Sequence, residues 1–209
     1  MKQIFPRILI ITGALCVISA MAVAQARGGM GAPAEQTTPT NNNNPGLSSP
    51  DQMQQQQNTS EGAMQDKAFV RSALEGGMAE VQMGQLAAQK GNSDDVKQFG
   101  QKMVNDHTQL GDQMKQVAQQ LNVQPPKGLS KKDKAEVAKL QALSGAQFDN
   151  AYIEAMVKDH KKDLSDFKQE AENSQNPAVK QVAQQGAQVI DQHLQQIEQI
   201  AKTHNATGM

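Results

Sequence analysis

Cysteine is all but missing from this chain. The single one, Cys16, lies inside an N-terminal apolar run and follows Leu15, where lipid attachment would ask for a small residue. The first 26 residues, MKQIFPRILIITGALCVISAMAVAQA, place Lys2 and Arg7 ahead of that run and small residues at Ala22, Ala24 and Ala26. This is the pattern of a cleavable secretory signal peptide. Cleavage is expected after Ala24 or Ala26, because the apolar run falls short of the roughly 20 residues that a spanning helix needs. The mature chain then has no cysteine, which excludes a disulfide framework and a thiolate metal site. Any metal must be held by nitrogen, oxygen or thioether.

Charge of one sign is lacking too. Twenty basic residues stand against 21 acidic ones for a net charge of −1, and losing Lys2 and Arg7 takes it to −3. Nothing in that balance attracts nucleic acid or anionic lipid. Lys131-Lys132 and Lys161-Lys162 are interleaved with Asp133, Asp159 and Asp163, as on a solvated helix face. Tryptophan is absent, aromatics make up 3% of the chain, and no strand-like alternation occurs, which argues against an outer-membrane barrel. The expected protein is exported, periplasmic or otherwise extracytoplasmic, with no membrane span after cleavage. The sequence names no protein partner and no oligomeric state.

What is present divides the chain in three. After the signal peptide (1–26), residues 27–63 are dominated by Gly, Pro, Asn, Gln, Ser and Thr. Such a composition buries too little apolar area to offset chain entropy, so a disordered tether is expected. From 64 to 205 the texture becomes helical. The first helix carries Phe69, Ala73, Gly77, Val81, Gly84 and Ala88 at intervals of three or four residues, with Gly91 as its stop. Ser93 is placed to cap a second helix, whose stripe is Val96, Phe99, Met103, His107, Leu110, Met114, Val117 and Leu121. Pro125-Pro126 breaks the chain, and a short helical piece runs from Ser130 to about Leu143. A third long helix carries Phe148, Tyr152, Met156, His160, Leu164, Phe167 and Ala171. Asn176-Pro177 then opens a fourth, with Val179, Val182, Gly186, Ile190, His193, Ile197 and Ile200.

Four helices of this length, each about 40 Å long, make an all-α four-helix bundle. The segment between helices two and three can span the bundle length, which allows them to run parallel in a ferritin-like topology with a short extra helix in the connection.

Two of the four histidines end nearly identical phrases, MVNDH at 103–107 and MVKDH at 156–160. An aromatic eight residues earlier (Phe99, Tyr152) and a methionine four earlier (Met103, Met156) share the stripe, so His107 and His160 point inward. His193 does the same between Ile190 and Ile197, at matching depth, and Glu80 borders the first stripe at that level. One glutamate and three histidines suit a single transition-metal ion: zinc, iron, manganese or copper. The positions three before each histidine hold Val104, Val157 and Ile190, so the Glu-x-x-His pairs of a di-iron centre are missing. Asp106, Asp159 and Asp191 can instead satisfy imidazole N–H groups, making the histidines purely structural. Met78, Met83, Met103, Met114 and Met156 offer thioethers for copper or simple core filling. Gly76-Gly77, Gly84, Gly100, Gly111 and Gly186 weaken their helices. Close helix contact explains them, with a small cavity near Glu80 as the alternative.

The stretches FVRSALEGGMAEVQMG, VKQFGQKMVNDH, FDNAYIEAMVKDHKKDL and VIDQHLQQI resemble the bacterial exported family called domain of unknown function 4142, over about residues 64 to 203. Glu80, Asp106-His107, Tyr152, His160 and His193 stand where the family pattern has them. The resemblance implies a ferritin-like bundle in the periplasm or beyond, often labelled an outer membrane protein, and supplies no reaction. The leading expectation is a bundle binding one metal through Glu80, His107, His160 and His193, with Asp106, Asp159 and Tyr152 supporting the ligands, for metal handling or envelope stress protection. The competing one is a non-catalytic envelope interaction protein with structural histidines. No nucleophile–base arrangement can be assembled, which leaves a one-metal oxidoreductase as the weakest reading.

Overall fold

The computed structural model describes residues 50–204, so the signal peptide and the tether as far as residue 49 lie outside the described residues. Five helices follow one another: α1 (Pro50–Lys90), α2 (Asp94–Gln120), α3 (Lys131–Ala142), α4 (Gly145–Asn173) and α5 (Pro177–Thr203). Among the described residues there is no strand.

Helix α1 begins earlier than composition suggests. Residues 50–63, expected to belong to the tether, are helical, and residues 54–61 are exposed along their whole length. The polar composition accounts for that exposure, while glutamine and methionine propagate a helix well once packing has nucleated it further along. The first buried residues of α1 are Asp66 and Val70.

The four long helices form the bundle. α1 packs on α2 and α4 on α5, with α2–α5 and α1–α4 as the remaining sides, so α2 and α4 face each other diagonally. Their N-termini are tied together. The Asp149 carboxylate, in the second turn of α4, accepts from the Asn92 and Ser93 backbone N–H groups at 2.8 and 2.9 Å and from the Ser93 hydroxyl at 2.8 Å. α2 and α4 therefore run the same way, the direction that the long connection through α3 allows. Ser93 occupies the N-cap of α2, but its hydroxyl serves this junction and caps nothing. Ser130 and Asn176 do cap α3 and α5, accepting from backbone N–H groups two or three residues on.

The apolar stripes of α2, α4 and α5 lie inward as their spacing predicts, except that Leu121 and Ala171 at the stripe ends are only half-buried. α1 differs. Its buried face is Val70, Leu74, Met83, Gly84 and Ala87, while Phe69, Ala73, Gly77 and Val81 are half-buried. Alanine and glycine spread around α1 give it no sharp apolar side, so periodicity misplaced the face by about one position.

Glycine explains how α1 and α2 approach. A Cβ on Gly84 would stand 2.8 Å from the Gly100 carbonyl oxygen, and one on Gly100 would stand 2.7 Å from the Ala87 Cβ. Gly186 similarly admits the Phe167 ring. The apolar interior falls into two clusters. One holds Met83, Phe99, Met103, Tyr152, Met156 and Ile197, and the other holds Leu74, Leu110, Met114, Leu164, Phe167 and Ile190. On every long helix a polar residue separates them: Glu80, His107, His160 and His193.

Candidate metal centre

These four side chains lie at one level of the bundle, each contributed by a different helix and each buried, with residue exposures of 4, 3, 0 and 0%. Burial at this level is dictated by the stripes, since each histidine replaces one apolar residue in a run such as Met103–His107–Leu110 or Met156–His160–Leu164. The residues that the sequence singles out as ligands are thus brought together.

The outward nitrogen of each histidine meets an oxygen that can only accept. His107 Nδ1 stands 2.9 Å from Glu80 Oε2, His160 Nδ1 lies 2.9 Å from the Met156 carbonyl, and His193 Nε2 lies 2.8 Å from Asp106 Oδ2. Carboxylates and carbonyls offer no hydrogen, so those three ring nitrogens carry the proton and donate. In the neutral ring the other nitrogen is left with a lone pair. His107 Nε2 and His193 Nδ1 then face each other at 3.3 Å, and one nitrogen from each of the three rings falls within 4.8 Å of the others. The inner nitrogen of His160, Nε2, is buried with no partner.

Electrostatics set the four groups apart. Burial alone would raise the Glu80 carboxyl, but the adjacent His107, with His160 and His193 behind it, holds it down at about 2. Burial likewise opposes charge on His107, and Glu80 outweighs it, so His107 is raised. Burial lowers His160 and brings His193 to about 4. Those two rings are neutral at physiological pH, the form that binds a metal.

The supporting residues divide. Asp106 orients His193 as described, and Lys102 in turn holds Asp106 at 2.5 Å. Asp159, in the matching place of the second phrase, touches no histidine and lies 3.9 Å from Lys132. Asp191 accepts from Gln195 instead. The Tyr152 hydroxyl is buried without a partner, and burial together with Glu80 keeps it protonated well above its ordinary range. Glu80 has one oxygen on His107. The other, Oε1, is unpartnered and 3.6 Å from His160 Nδ1. Sequence reasoning missed the Met156 carbonyl as an orienting group, since backbone acceptors leave no residue signal. It also missed Asp163, which faces the same level and is pushed up to about 7 by burial and by Glu80. Its only signal was its place three residues after His160.

The family model described as Domain of unknown function (DUF4142) matches residues 51–200, including the exposed first turns of α1. No curated protein matches. Among solved structures, the chain is similar to the crystal structure of a DUF305 fragment from Deinococcus radiodurans, with a TM-score of 0.60 and 16% identity, over 66% of this chain and 96% of that one. At that identity the likeness establishes the helical fold.

Proposed function

The chain belongs to the DUF4142 family, and from that premise we propose that it is an exported helical bundle holding one transition-metal ion, for metal handling or envelope stress protection. The observation that carries this reading is the convergence of three lone pairs. Donation to Glu80, Met156 and Asp106 leaves His107 Nε2, His193 Nδ1 and His160 Nε2 as acceptors with nothing between them that donates. One proton can bridge two of these nitrogens but not three, whereas an ion serves all three at once. Two nitrogens, each bonded at roughly 2.0–2.1 Å to one tetrahedral ion, stand about 3.3 Å apart, which is the His107–His193 separation. Carboxylates behind the ligating imidazoles are the usual second layer of such sites.

The residues fit the group. His107, His160 and His193 would hold the ion, and Glu80, bonded to the outward His107 Nδ1, would orient that ligand from behind. When bound, the ion would supply a Lewis-acid centre in a dry layer. Zinc, iron, manganese and copper all accept this donor set. Export is supported by Lys2, Arg7 and the apolar run ahead of Ala24 and Ala26.

A second reading rests on the raised His107. As an imidazolium paired with Glu80, it can donate through Nε2 to His193, and the layer is then a structural hydrogen-bond chain in an envelope interaction protein. Elemental analysis separates the two. The chain is recovered from the extracytoplasmic fraction without chelator or nickel resin, beside the His107→Ala/His160→Ala double variant. Near-stoichiometric metal in the first and none in the second is expected, with an intact mass beginning after Ala24 or Ala26. Folded, metal-free protein in both gives the second reading.

A further inference from the structure

Between α1 and α4 the bundle opens into a cleft of about 520 Å³. On the α1 side it runs past Phe69, Gly76 and Gly77 to Glu80. Its α4 wall presents Asp159, Asp163, Asp166 and Glu170. Intervals of four, three and four residues put these carboxyls on one stripe, spread over about 16 Å of helix. Neighbours along such a stripe are about 5–6 Å apart.

Three observations make this space a candidate binding site. Seven carboxyl side chains line the cleft against two lysines, Lys132 and Lys162. Glu80 and Glu170, both 4% exposed, each keep an unpartnered Oε1 there, at opposite ends. The third observation is Gly76-Gly77. A Cβ on either would meet nothing within 4 Å, in contrast to Gly84, Gly100 and Gly186, so these two glycines weaken α1 without serving any close contact. Their effect is to leave the cleft open.

We propose that the cleft binds a linear aliphatic oligoamine, its ammonium groups seated on successive α4 carboxylates and on Glu80, its methylene segments against Phe69, Phe167 and Met114. A trimethylene or tetramethylene spacer sets nitrogens at the interval of the stripe. The volume is that of a small-molecule site, and a single divalent ion would leave most of the carboxyls and the whole apolar wall unused. An anion is repelled. Lys162 already shows the chemistry, its Nζ bonded to Asp166 and 4.0 Å from Asp163. The inference does not depend on an ion at the histidines.

Isothermal titration of the full mature chain with spermidine, with chelator and again with metal, tests it. One molecule is expected to bind in both conditions. Binding should weaken at least tenfold in Gly76→Leu, which fills the cleft without altering charge, and in Asp163→Asn/Asp166→Asn. It should persist in Gly76→Ala, which leaves the cleft open, and tighten in Lys162→Met, which removes the internal competitor. Circular dichroism melts confirm that each variant folds. Absence of binding overturns the proposal. So does spermidine binding that Gly76→Leu leaves intact or that magnesium displaces equally, since either marks general surface attraction. A Gly76→Leu variant that only slows metal uptake makes the cleft an ion path and overturns it as well.

Discussion

Asp106 bonds His193 on the neighbouring helix at 2.8 Å, while the next residue, His107, turns inward to Glu80. The phrase MVNDH therefore contributes twice to the polar layer, once as a ligand candidate and once as the group that sets a partner's tautomer. MVKDH contributes once, because Asp159 faces the cleft and Lys132. Asp106→Asn should consequently lower metal affinity about 10- to 100-fold, measured by competition with a chromophoric chelator. Asp159→Asn should leave that affinity unchanged.

A metal that binds only the native state stabilises it by mass action, by about 2.7 kcal/mol at a hundredfold excess over Kd. Thermal melts in zinc and in chelator should differ for the wild type and coincide for His160→Ala. A structural histidine would give an equal loss in both media.

Glu80→Gln keeps the size of the side chain and removes the charge that holds His107 up. Imidazole titration followed by NMR should show His107 falling toward or below its ordinary range in the metal-free variant, because burial then acts unopposed. A His107 titration that does not move would detach Glu80 from the layer's electrostatics.

Glu170 is raised to about 7 by burial and by its bond to Asp66. The folded state holds the proton more tightly than the unfolded chain, so stability is greatest below the ordinary glutamate range and falls as pH rises toward 7. Asp163 acts with the same sign. Urea unfolding between pH 5 and 7.5 should show the wild type losing more stability, or gaining less, with rising pH than the Glu170→Gln/Asp163→Asn variant, since the lowered His160 and His193 act with the opposite sign in both proteins.

The glycines of α1 and α2 predict opposite responses to alanine. Gly100→Ala places a Cβ 2.7 Å from both the Ala87 Cβ and the Gly84 carbonyl oxygen, an overpacking worth about 1–3 kcal/mol of lost stability. Gly76→Ala meets nothing and should gain about 0.5–1 kcal/mol from helix propensity alone. Chemical denaturation of the two variants reads both signs.

How much of this was legible in the sequence depends on the helix. On α2, α4 and α5 most inward positions of the stripe carry a large apolar side chain or a histidine, so spacing alone located the core face and set three histidines at one depth. On α1, small residues stand on several sides, and the face emerges only from which neighbour crowds which glycine. The sequence could not sort Gly84 from Gly76, because one packs against the Gly100 backbone and the other borders a cleft. That cleft is made by two helices standing apart, a relation that no single stretch of sequence encodes. The helical extension at residues 50–63 escaped notice because polar composition reports burial, whereas helicity there is inherited from the turns that follow.

The polar layer also fixes alignment. Each long helix supplies a single buried member, and the residues one turn away on the same stripes are apolar: Met103 and Leu110 beside His107, Met156 and Leu164 beside His160. Sliding any helix along its axis by one turn, about 5.4 Å, would set a buried carboxylate or imidazole against methionine or leucine and orphan its partner. Apolar side chains alone would tolerate such a slip. The layer works as a key with four teeth, cut so that the helices engage in one register.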